Sequence, residues 1–122
     1  HPYLYNMKGI SLAALGEHNE AIENYNKAIA QEANYFDPYQ NKFCPLFKLC
    51  RYEEALESIN KAIELEPNHS KIDVMYTNKA LVLSKLGRCE EVLESLDKAL
   101  TLNPNNQTAI DGKNRVLELL KK

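Results

Sequence analysis

Apolar residues along this chain recur with the spacing that places them on one face of a helix. Between positions 52 and 65, that face consists of Ala55, Leu56, Ile59, Ala62 and Ile63. Residues that commonly end helices separate the apolar stretches, namely Gly16, Pro67, Gly87 and Pro104. The pattern predicts seven helices, at about residues 3–15, 18–32, 38–49, 52–65, 71–86, 89–102 and 107–121.

One block of sequence occurs three times, at offsets of 34 and 37 residues. Its copies are Glu20–Ile29, Glu54–Ile63 and Glu91–Leu100. A second block lies upstream at the same offsets, and its copies begin at Tyr5, Tyr39 and Tyr76. Because two independent blocks share both offsets, the sequence predicts a protein built from repeated helix pairs. We expect one domain over 1–122, with repeats at about 2–35, 36–69 and 73–106 and a terminal helix at 107–122.

These repeats resemble the tetratricopeptide repeat (TPR) family, whose signature combines an aromatic residue, a small residue, a Leu or Tyr, two alanines and a closing proline. Repeat 1 matches at Tyr5, Gly9, Leu12, Ala21, Tyr25 and Ala28. Repeat 2 matches at Tyr39, Leu46, Ala55, Ala62 and Pro67, and repeat 3 at Tyr76, Ala80, Leu83, Gly87, Ala99 and Pro104. The resemblance implies an all-α fold, a right-handed α-solenoid of antiparallel helix pairs.

Composition narrows the classes of partner. The chain of 122 residues carries a net charge of −2, with lysines interleaved among glutamates, and it has no apolar run of membrane-spanning length. We therefore expect neither nucleic acid nor membrane as a partner. The three cysteines form no Cys-x-x-Cys pair, which favours reduced thiols, a cytoplasmic location and no metal or other cofactor. Since the chain opens at His1, without a Met, inside a helical pattern, we expect an excised fragment or a processed product.

The resemblance implies a binding surface, because in TPR proteins the first helix of each pair lines a concave groove that holds a peptide. The residues that this places in the groove are Tyr3, Asn6, Met7, Ile10, Asn41, Cys44, Lys48, Thr77, Asn78, Leu81 and Lys85. In the family, an asparagine at the place of Asn41 and Asn78 hydrogen-bonds a peptide backbone, which an amide suits because it donates and accepts. The alternative is that these two side chains join neighbouring helices.

Members of the family that bind chaperone tails hold a terminal carboxylate between Lys, Asn and Arg side chains. In this sequence the cationic places carry Asn6, Val74 and Asn78, and only Asn41 agrees with that pattern. Without cations an anionic tail would lack charge-assisted hydrogen bonds, so the sequence disfavours a chaperone tail as ligand. An extended or helical segment with apolar side chains is the better match.

Lysines repeat at two places of the helix pairs. Lys8, Lys42 and Lys79 form either a basic stripe or, as we favour, a set of aliphatic stems lying on neighbouring helices with the ammonium groups in water. Lys48 and Lys85 are candidates for contact with an acidic partner. No nucleophile with a nearby base and no glycine-rich phosphate loop is visible, so we do not expect an enzyme.

Repeat 2 departs from its own pattern. Phe43 replaces a small residue and should separate the paired helices, while Pro45 lacks the N–H that would bond to the carbonyl of Asn41. Cys50 replaces the glycine of the turn, which predicts a left-handed backbone there. Asp37 is the expected N-cap of the third helix.

Two smaller differences concern helix lengths. Because repeat 1 lacks the closing proline, its second helix should run past Gln31. The additional residues 70–72 should lengthen the first helix of repeat 3.

Two functions follow from these observations. The first is a protein–protein interaction module that binds a peptide or helical segment in the concave groove. The alternative is a structural segment of a larger scaffold, which self-associates through its terminal repeats. We expect the last helix to bury Ile110, Val116, Leu117 and Leu120 on one face and to leave Leu119 for a further contact.

Overall fold

The computed structural model describes residues 1–121, and Lys122, the final residue of the predicted terminal helix, lies outside the described residues. Every regular element within that range is a helix. The eight helical segments are α1 (Pro2–Ala14), α2 (His18–Gln31), α3 (Phe36–Asn41), α4 (Phe43–Lys48), α5 (Tyr52–Leu65), α6 (Ile72–Lys85), α7 (Cys89–Leu102) and α8 (Gln107–Leu120). The predicted all-α fold is confirmed, and six of the seven predicted helices agree with the structure to within one residue at each end.

The chain forms two compact units, His1–Glu66 and Pro67–Lys122. In the first unit α1 packs against α2, and both α3 and α4 pack against α5 and α2. In the second unit α7 lies against α6 on one side and α8 on the other. Short turns join the paired helices, which makes them antiparallel neighbours.

The third predicted helix is divided at Lys42 into α3 and α4. Pro45 has no N–H to donate to the carbonyl of Asn41, so the ladder of helical hydrogen bonds has a gap at that point. Hydrogen bonds of helical spacing are nevertheless present on both sides of the gap, since Lys42 N donates to Pro38 O (3.0 Å) and Leu46 N donates to Lys42 O (3.1 Å). Counting α3 and α4 as one interrupted helix gives the seven helices of the prediction.

The start of α3 corrects one expectation. Tyr35 is the N-cap, and the helix begins at Phe36, two residues before the predicted position. Asp37 therefore lies in the first turn rather than at the cap. There its carboxylate still complements the helix dipole, and Pro38 occupies a position whose N–H would have no partner within the helix.

The buried residues of the core occupy equivalent positions in the three repeats. In each second helix, the side chains that the repeated block places on one face are buried, among them Ala21, Tyr25, Ala55, Ile59 and Leu96. Burying apolar side chains of this size contributes about 1.5–3 kcal/mol for each large one, before the entropy of ordering the chain is subtracted. The apolar faces read from the sequence are thus the faces that hold each unit together.

Gly9 and Phe43 occupy equivalent places and are packed differently. A Cβ on Gly9 would lie 2.5 Å from the ring of Tyr25, so only glycine fits between α1 and α2. Phe43 is buried and stacks on Phe47 at a ring-centroid distance of 5.8 Å, and Phe47 in turn meets the ring of Tyr52 edge-on at 5.3 Å. An aromatic cluster therefore replaces the close glycine contact in repeat 2. The predicted separation of the helices by Phe43 stays a prediction.

The turns within the helix pairs share one geometry. Gly16 and Gly87 have positive φ angles of 82° and 73°, and Cys50 takes the same conformation with φ 60°. In repeat 2 Arg51 N donates to Leu46 O (2.9 Å), which is the long hydrogen bond of a Schellman motif. The predicted left-handed backbone at Cys50 is confirmed.

Of the two predictions of helix length, the first is wrong and the second holds for one residue only. α2 ends at Gln31, because Glu32 has an extended backbone with φ −144°. Residues 70 and 71 lie in a turn, where Lys71 N donates to His69 Nδ1 (3.0 Å), and α6 begins at Ile72. Ser70 and Lys71 therefore lengthen the connection between repeats 2 and 3, while Ile72 adds one residue to the start of α6, which begins four residues before Tyr76 where α1 begins three before Tyr5.

The left-handed Cys50 predicts that Cys50→Gly stabilises the protein. A side chain at positive φ costs about 1–2 kcal/mol, while glycine costs about 0.5–1 kcal/mol in chain entropy. The lost hydrogen bond from Tyr52 Oη to Cys50 Sγ (3.4 Å) is exposed and has a weak acceptor. We expect a net gain of about 0.5–1 kcal/mol in the free energy of unfolding, measured by urea titration.

The matched control is Cys89→Gly, the same substitution at the first helical residue of α7. It should lower the free energy of unfolding by up to about 1 kcal/mol, because glycine disfavours helix. Equal effects of the two substitutions would contradict the assignment of strain to Cys50.

Candidate functional site

A groove of about 470 Å³ lies within the C-terminal unit, between α6 and α8, with α7 as its floor. α6 contributes Thr77, Asn78, Ala80, Leu81, Ser84 and Lys85. The floor contains Val92 and Leu96, and α8 contributes Thr108, Gly112, Arg115, Val116 and Leu119. We call this cavity the α6–α8 groove. Its volume lies within the range of about 300–1,000 Å³ that is usual for ligand sites.

Helical periodicity produces the groove. The α6 residues that line the groove lie between Thr77 and Lys85. Residues three or four positions apart share one face of a helix, so these side chains form one stripe along α6. On α8 the stripe runs from Thr108 to Leu119 with the same spacing. The structure thus brings together four predicted site residues, Thr77, Asn78, Leu81 and Lys85.

Asp73 holds α8 in place opposite α6. Asp73 is only 8% exposed, and its carboxylate accepts hydrogen bonds from Asn103 Nδ2 (3.0 Å) and Asn106 Nδ2 (2.9 Å). Asn106 Nδ2 also donates to Thr77 Oγ1 (3.1 Å), while its Oδ1 accepts from Ala109 N (3.0 Å) and so caps α8. One amide side chain therefore fixes both the start of α8 and its position beside α6.

Neither this hydrogen-bond network nor the α8 residues of the groove were predicted from the sequence. The run Asn103-Pro104-Asn105-Asn106 does indicate capping at this turn, since asparagines that follow the end of a helix are common caps and turn formers. Thr77 was predicted as a ligand contact. It lines the groove, but its hydroxyl also donates to Asp73 O (2.9 Å), so part of its role is structural.

The two charged residues that line the groove, Lys85 and Arg115, are both basic. Both side chains are exposed, and neither belongs to the ion pairs found within residues 1–121. The other polar lining groups are neutral, among them the amide of Asn78 and the hydroxyl of Thr108. The groove combines an apolar floor with positive charge near its opening.

Gly112 lies in the middle of α8 and lines the groove. A Cβ built on it would lie 3.5 Å from two methyl groups of Leu96, an ordinary contact distance. Alanine would fit there, although glycine inside a helix costs about 1 kcal/mol relative to alanine. Packing thus requires glycine at Gly9 but not at Gly112.

The remaining predicted site residues lie in the N-terminal unit. Tyr3, Met7 and Ile10 are exposed on α1, and their spacing of four and three residues places them on one face. Cys44 and Lys48 are exposed on α4. These five residues provide accessible apolar and polar surface on the first unit.

Asn6 and Asn41 are less accessible. Asn6 is only 3% exposed, and its Nδ2 donates to Tyr35 Oη (3.3 Å). Its Oδ1 accepts from Asn41 Nδ2 (3.2 Å), which joins α1 to α3. For Asn41 the contact between helices is therefore present, and its role in ligand binding stays a prediction.

Two side chains in the N-terminal unit have pKa values that differ from the usual ones. Burial, with a smaller contribution from Cys44, raises the pKa of Tyr25 to about 12. Burial also lowers the pKa of Lys42, whose Nζ donates to Asn26 Oδ1 (2.8 Å). The ammonium group of Lys42 thus has a protein partner in α2 in addition to any contact with water.

The structure describes no group of three or more His, Cys, Asp or Glu side chains suited to a metal ion, a statement limited to residues 1–121. Cys44, Cys50 and Cys89 are free thiols and all are exposed. No helix in the same range combines the length and the apolar character required to cross a membrane.

The family model described as tetratricopeptide repeat matches residues 2–35, 46–69 and 74–106, well over half of the chain. The chain belongs to the tetratricopeptide repeat family. The interval from 36 to 45, where the model does not match, contains α3, the break at Lys42 and the start of α4. No protein with a curated description matches the sequence.

Solved TPR domains share the fold. The first TPR of Spaghetti (RPAP3), bound to the HSP90 peptide SRMEEVD, is 21% identical over 99% of this chain and 94% of its own, with a TM-score of 0.88. The TPR domain of OM64 from Arabidopsis is 23% identical over 94% and 93%, with a TM-score of 0.84. The second TPR domain of human RPAP3, in complex with the HSP70 peptide SGPTIEEVD, is 22% identical over 95% and 98%, with a TM-score of 0.83.

The Asp73 network predicts that Asp73→Ala destabilises the protein more than the loss of an ordinary surface carboxylate. Removing the buried acceptor deprives Asn103 Nδ2 of its hydrogen bond and leaves Asn106 Nδ2 with Thr77 Oγ1 alone, which should lower the free energy of unfolding by about 2 kcal/mol. Asp97→Ala is the control, because Asp97 pairs with Lys113 at the surface (2.6 Å, side chains 55% and 38% exposed). That change should cost less than about 1 kcal/mol.

Urea unfolding of both variants gives the comparison. A loss for Asp73→Ala no greater than that for Asp97→Ala would show that the network does not stabilise the C-terminal unit.

Proposed function

We propose that this TPR protein is a non-catalytic protein-interaction module that binds a peptide or helical segment of a partner. The observation that carries the proposal is the α6–α8 groove, which unites predicted contact residues of α6 with a second lining helix. Its apolar floor would bury side chains of the ligand, and the amide of Asn78 would donate to or accept from the ligand backbone. Membership of the TPR family supports the same class of function.

Two of the structurally similar TPR domains are complexes with chaperone peptides, SRMEEVD and SGPTIEEVD. They support a peptide as the ligand class for this fold. We propose a different ligand for this chain, because Asn6, Val74 and Asn78 occupy the positions at which chaperone-tail binders have the cations that hold the carboxylate. Asn6 is also buried and hydrogen-bonded within its own unit. We therefore propose a partner segment bound through its side chains rather than a chaperone tail held by its terminal carboxylate.

The N-terminal unit offers a second contact surface in this proposal. The exposed face of α1, with Tyr3, Met7 and Ile10, would bind apolar side chains of the partner. Asn41, Cys44 and Lys48 would extend that surface onto α3 and α4, with Asn6 holding Asn41 in place through its Oδ1 (3.2 Å). The free, exposed cysteines suit a reducing compartment, so the cytoplasm is the location we propose.

Self-association is a second candidate function, and one observation favours it. Leu117 and Leu120 were expected to be buried, but they are 41% and 61% exposed on α8. The correction has a geometric reason, since α7 is the main packing partner of α8 and no repeat follows within the described residues to cover the rest of its surface. Leu119, expected to remain available for a further contact, is exposed and lines the α6–α8 groove.

The proposed function predicts that Leu81→Ser weakens peptide binding. The probe is a phage-displayed library of random 12-residue peptides selected on the immobilised chain, followed by calorimetric titration of the selected peptides. Losing the leucine removes apolar area from the groove, and we expect the affinity to fall by about tenfold. The control is Leu102→Ser, because Leu102 is 46% exposed, like Leu81 at 45%, but does not line the groove.

Failure to select any peptide above background, or equal affinities of the Leu81→Ser and Leu102→Ser variants, would contradict binding in the α6–α8 groove.

Self-association predicts a concentration-dependent molar mass in light scattering. Under that hypothesis the wild-type chain should dimerise at high concentration, and Leu117→Ser/Leu120→Ser should remain monomeric, since exposed leucines would be buried between copies. A constant monomer mass over the accessible concentration range removes the second candidate.

A further inference from the structure

We infer that Gly112 forms the centre of a binding subsite in the α6–α8 groove, which takes an apolar side chain flanked by acidic residues of the partner segment. The inference rests on the proposed function and specifies the chemistry of its ligand. It depends on two independent observations, the space beside Gly112 and the sign of the charges that line the groove.

The space beside Gly112 is not needed by the fold. Outside its own helical turn, the neighbours that a Cβ at Gly112 would meet within 4 Å are two methyl groups of Leu96, both at an ordinary distance of 3.5 Å. Gly9, by comparison, is required because the ring of Tyr25 occupies the place of a Cβ at 2.5 Å. Glycine is the least favourable helix residue after proline, and here packing gives no compensation for it.

A bound side chain of the ligand would offset the cost of a glycine inside α8. Gly112 lies on the same stripe of α8 as Arg115 and Val116, and Leu96 of the floor is next to it. Without a side chain at this position, an apolar group of the partner reaches the backbone of α8 and the methyl groups of Leu96. An alanine methyl would occupy part of this space, so the residue at position 112 would set the size of the side chain that the groove accepts.

The charges specify what flanks that apolar side chain. Lys85 on α6 and Arg115 on α8 line the same groove, and the lining set from Thr77 to Leu119 contains no acidic residue. Arg115 would bind a carboxylate through two parallel N–H groups, and Lys85 would do so as a point charge. An acidic, apolar segment is complementary to this arrangement, whereas a basic segment would be repelled.

The experiment uses the full chain and the peptides selected from the random 12-residue library. Gly112→Ala should raise the thermal midpoint by about 3 °C, since alanine is the better helix former. The same change should weaken peptide binding by about tenfold, because the methyl group overfills the subsite. The larger Gly112→Met should weaken binding further, and opposite signs for stability and affinity are the expected signature.

Separate variants test the role of the two basic residues. The selected peptides should be enriched in Asp and Glu, and Lys85→Gln and Arg115→Gln should each lower the affinity by about threefold to fivefold. Lys98→Gln is the control, because Lys98 is an exposed cation of α7 that does not line the groove. Binding to the wild-type chain should also weaken at higher ionic strength.

The outcomes separate this inference from the proposed function. Peptides that bind, and that depend on Leu81, but tolerate Gly112→Ala or carry no acidic residues would overturn the inference and leave the proposed function intact. A loss of stability in Gly112→Ala would also overturn it, since the glycine would then be structural. Failure to select any binding peptide would overturn both.

Discussion

The buried carboxylate of Asp73 positions the helix that makes the groove. It lies near the start of α6 and accepts hydrogen bonds from Asn103 and Asn106, on either side of the turn that leads to α8. Asn106 also caps α8 through Ala109 N. Because a buried charge is costly without partners, this network has one well-satisfied arrangement. The network joins α6 to the start of α8, and these are the two helices whose side chains, with Gly112, line the α6–α8 groove.

Much of this fold could be predicted from the sequence, and physical reasons explain why. The repeated apolar face, as in Ala55, Leu56 and Ile59, depends only on helical periodicity, and left-handed turns depend on single residues such as Gly16 and Cys50. The missing N–H of Pro45 was recognised in the sequence, although one helix over 38–49 was predicted where the structure has a break at Lys42. Predictions of this kind need only local backbone chemistry.

The candidate site was predictable only in part. The α6 residues Asn78, Leu81 and Lys85 were recognised through the family resemblance, which specifies the first helix of each pair. Asp73 and Gly112 were not, because their importance arises from side chains that meet across the turn between α7 and α8 or from space left beside Leu96. Such features depend on tertiary distances, and helical periodicity carries no information about them.

Direct mapping of the ligand on the chain tests the central claim, that a partner segment binds between α6 and α8. The measurement is an amide ¹⁵N–¹H correlation spectrum of the full chain, recorded with and without a selected peptide. We predict that the largest shifts fall on Asn78, Leu81, Gly112 and the residues beside them. Shifts confined to other helices, with those amides unchanged at a saturating peptide concentration, would contradict the claim.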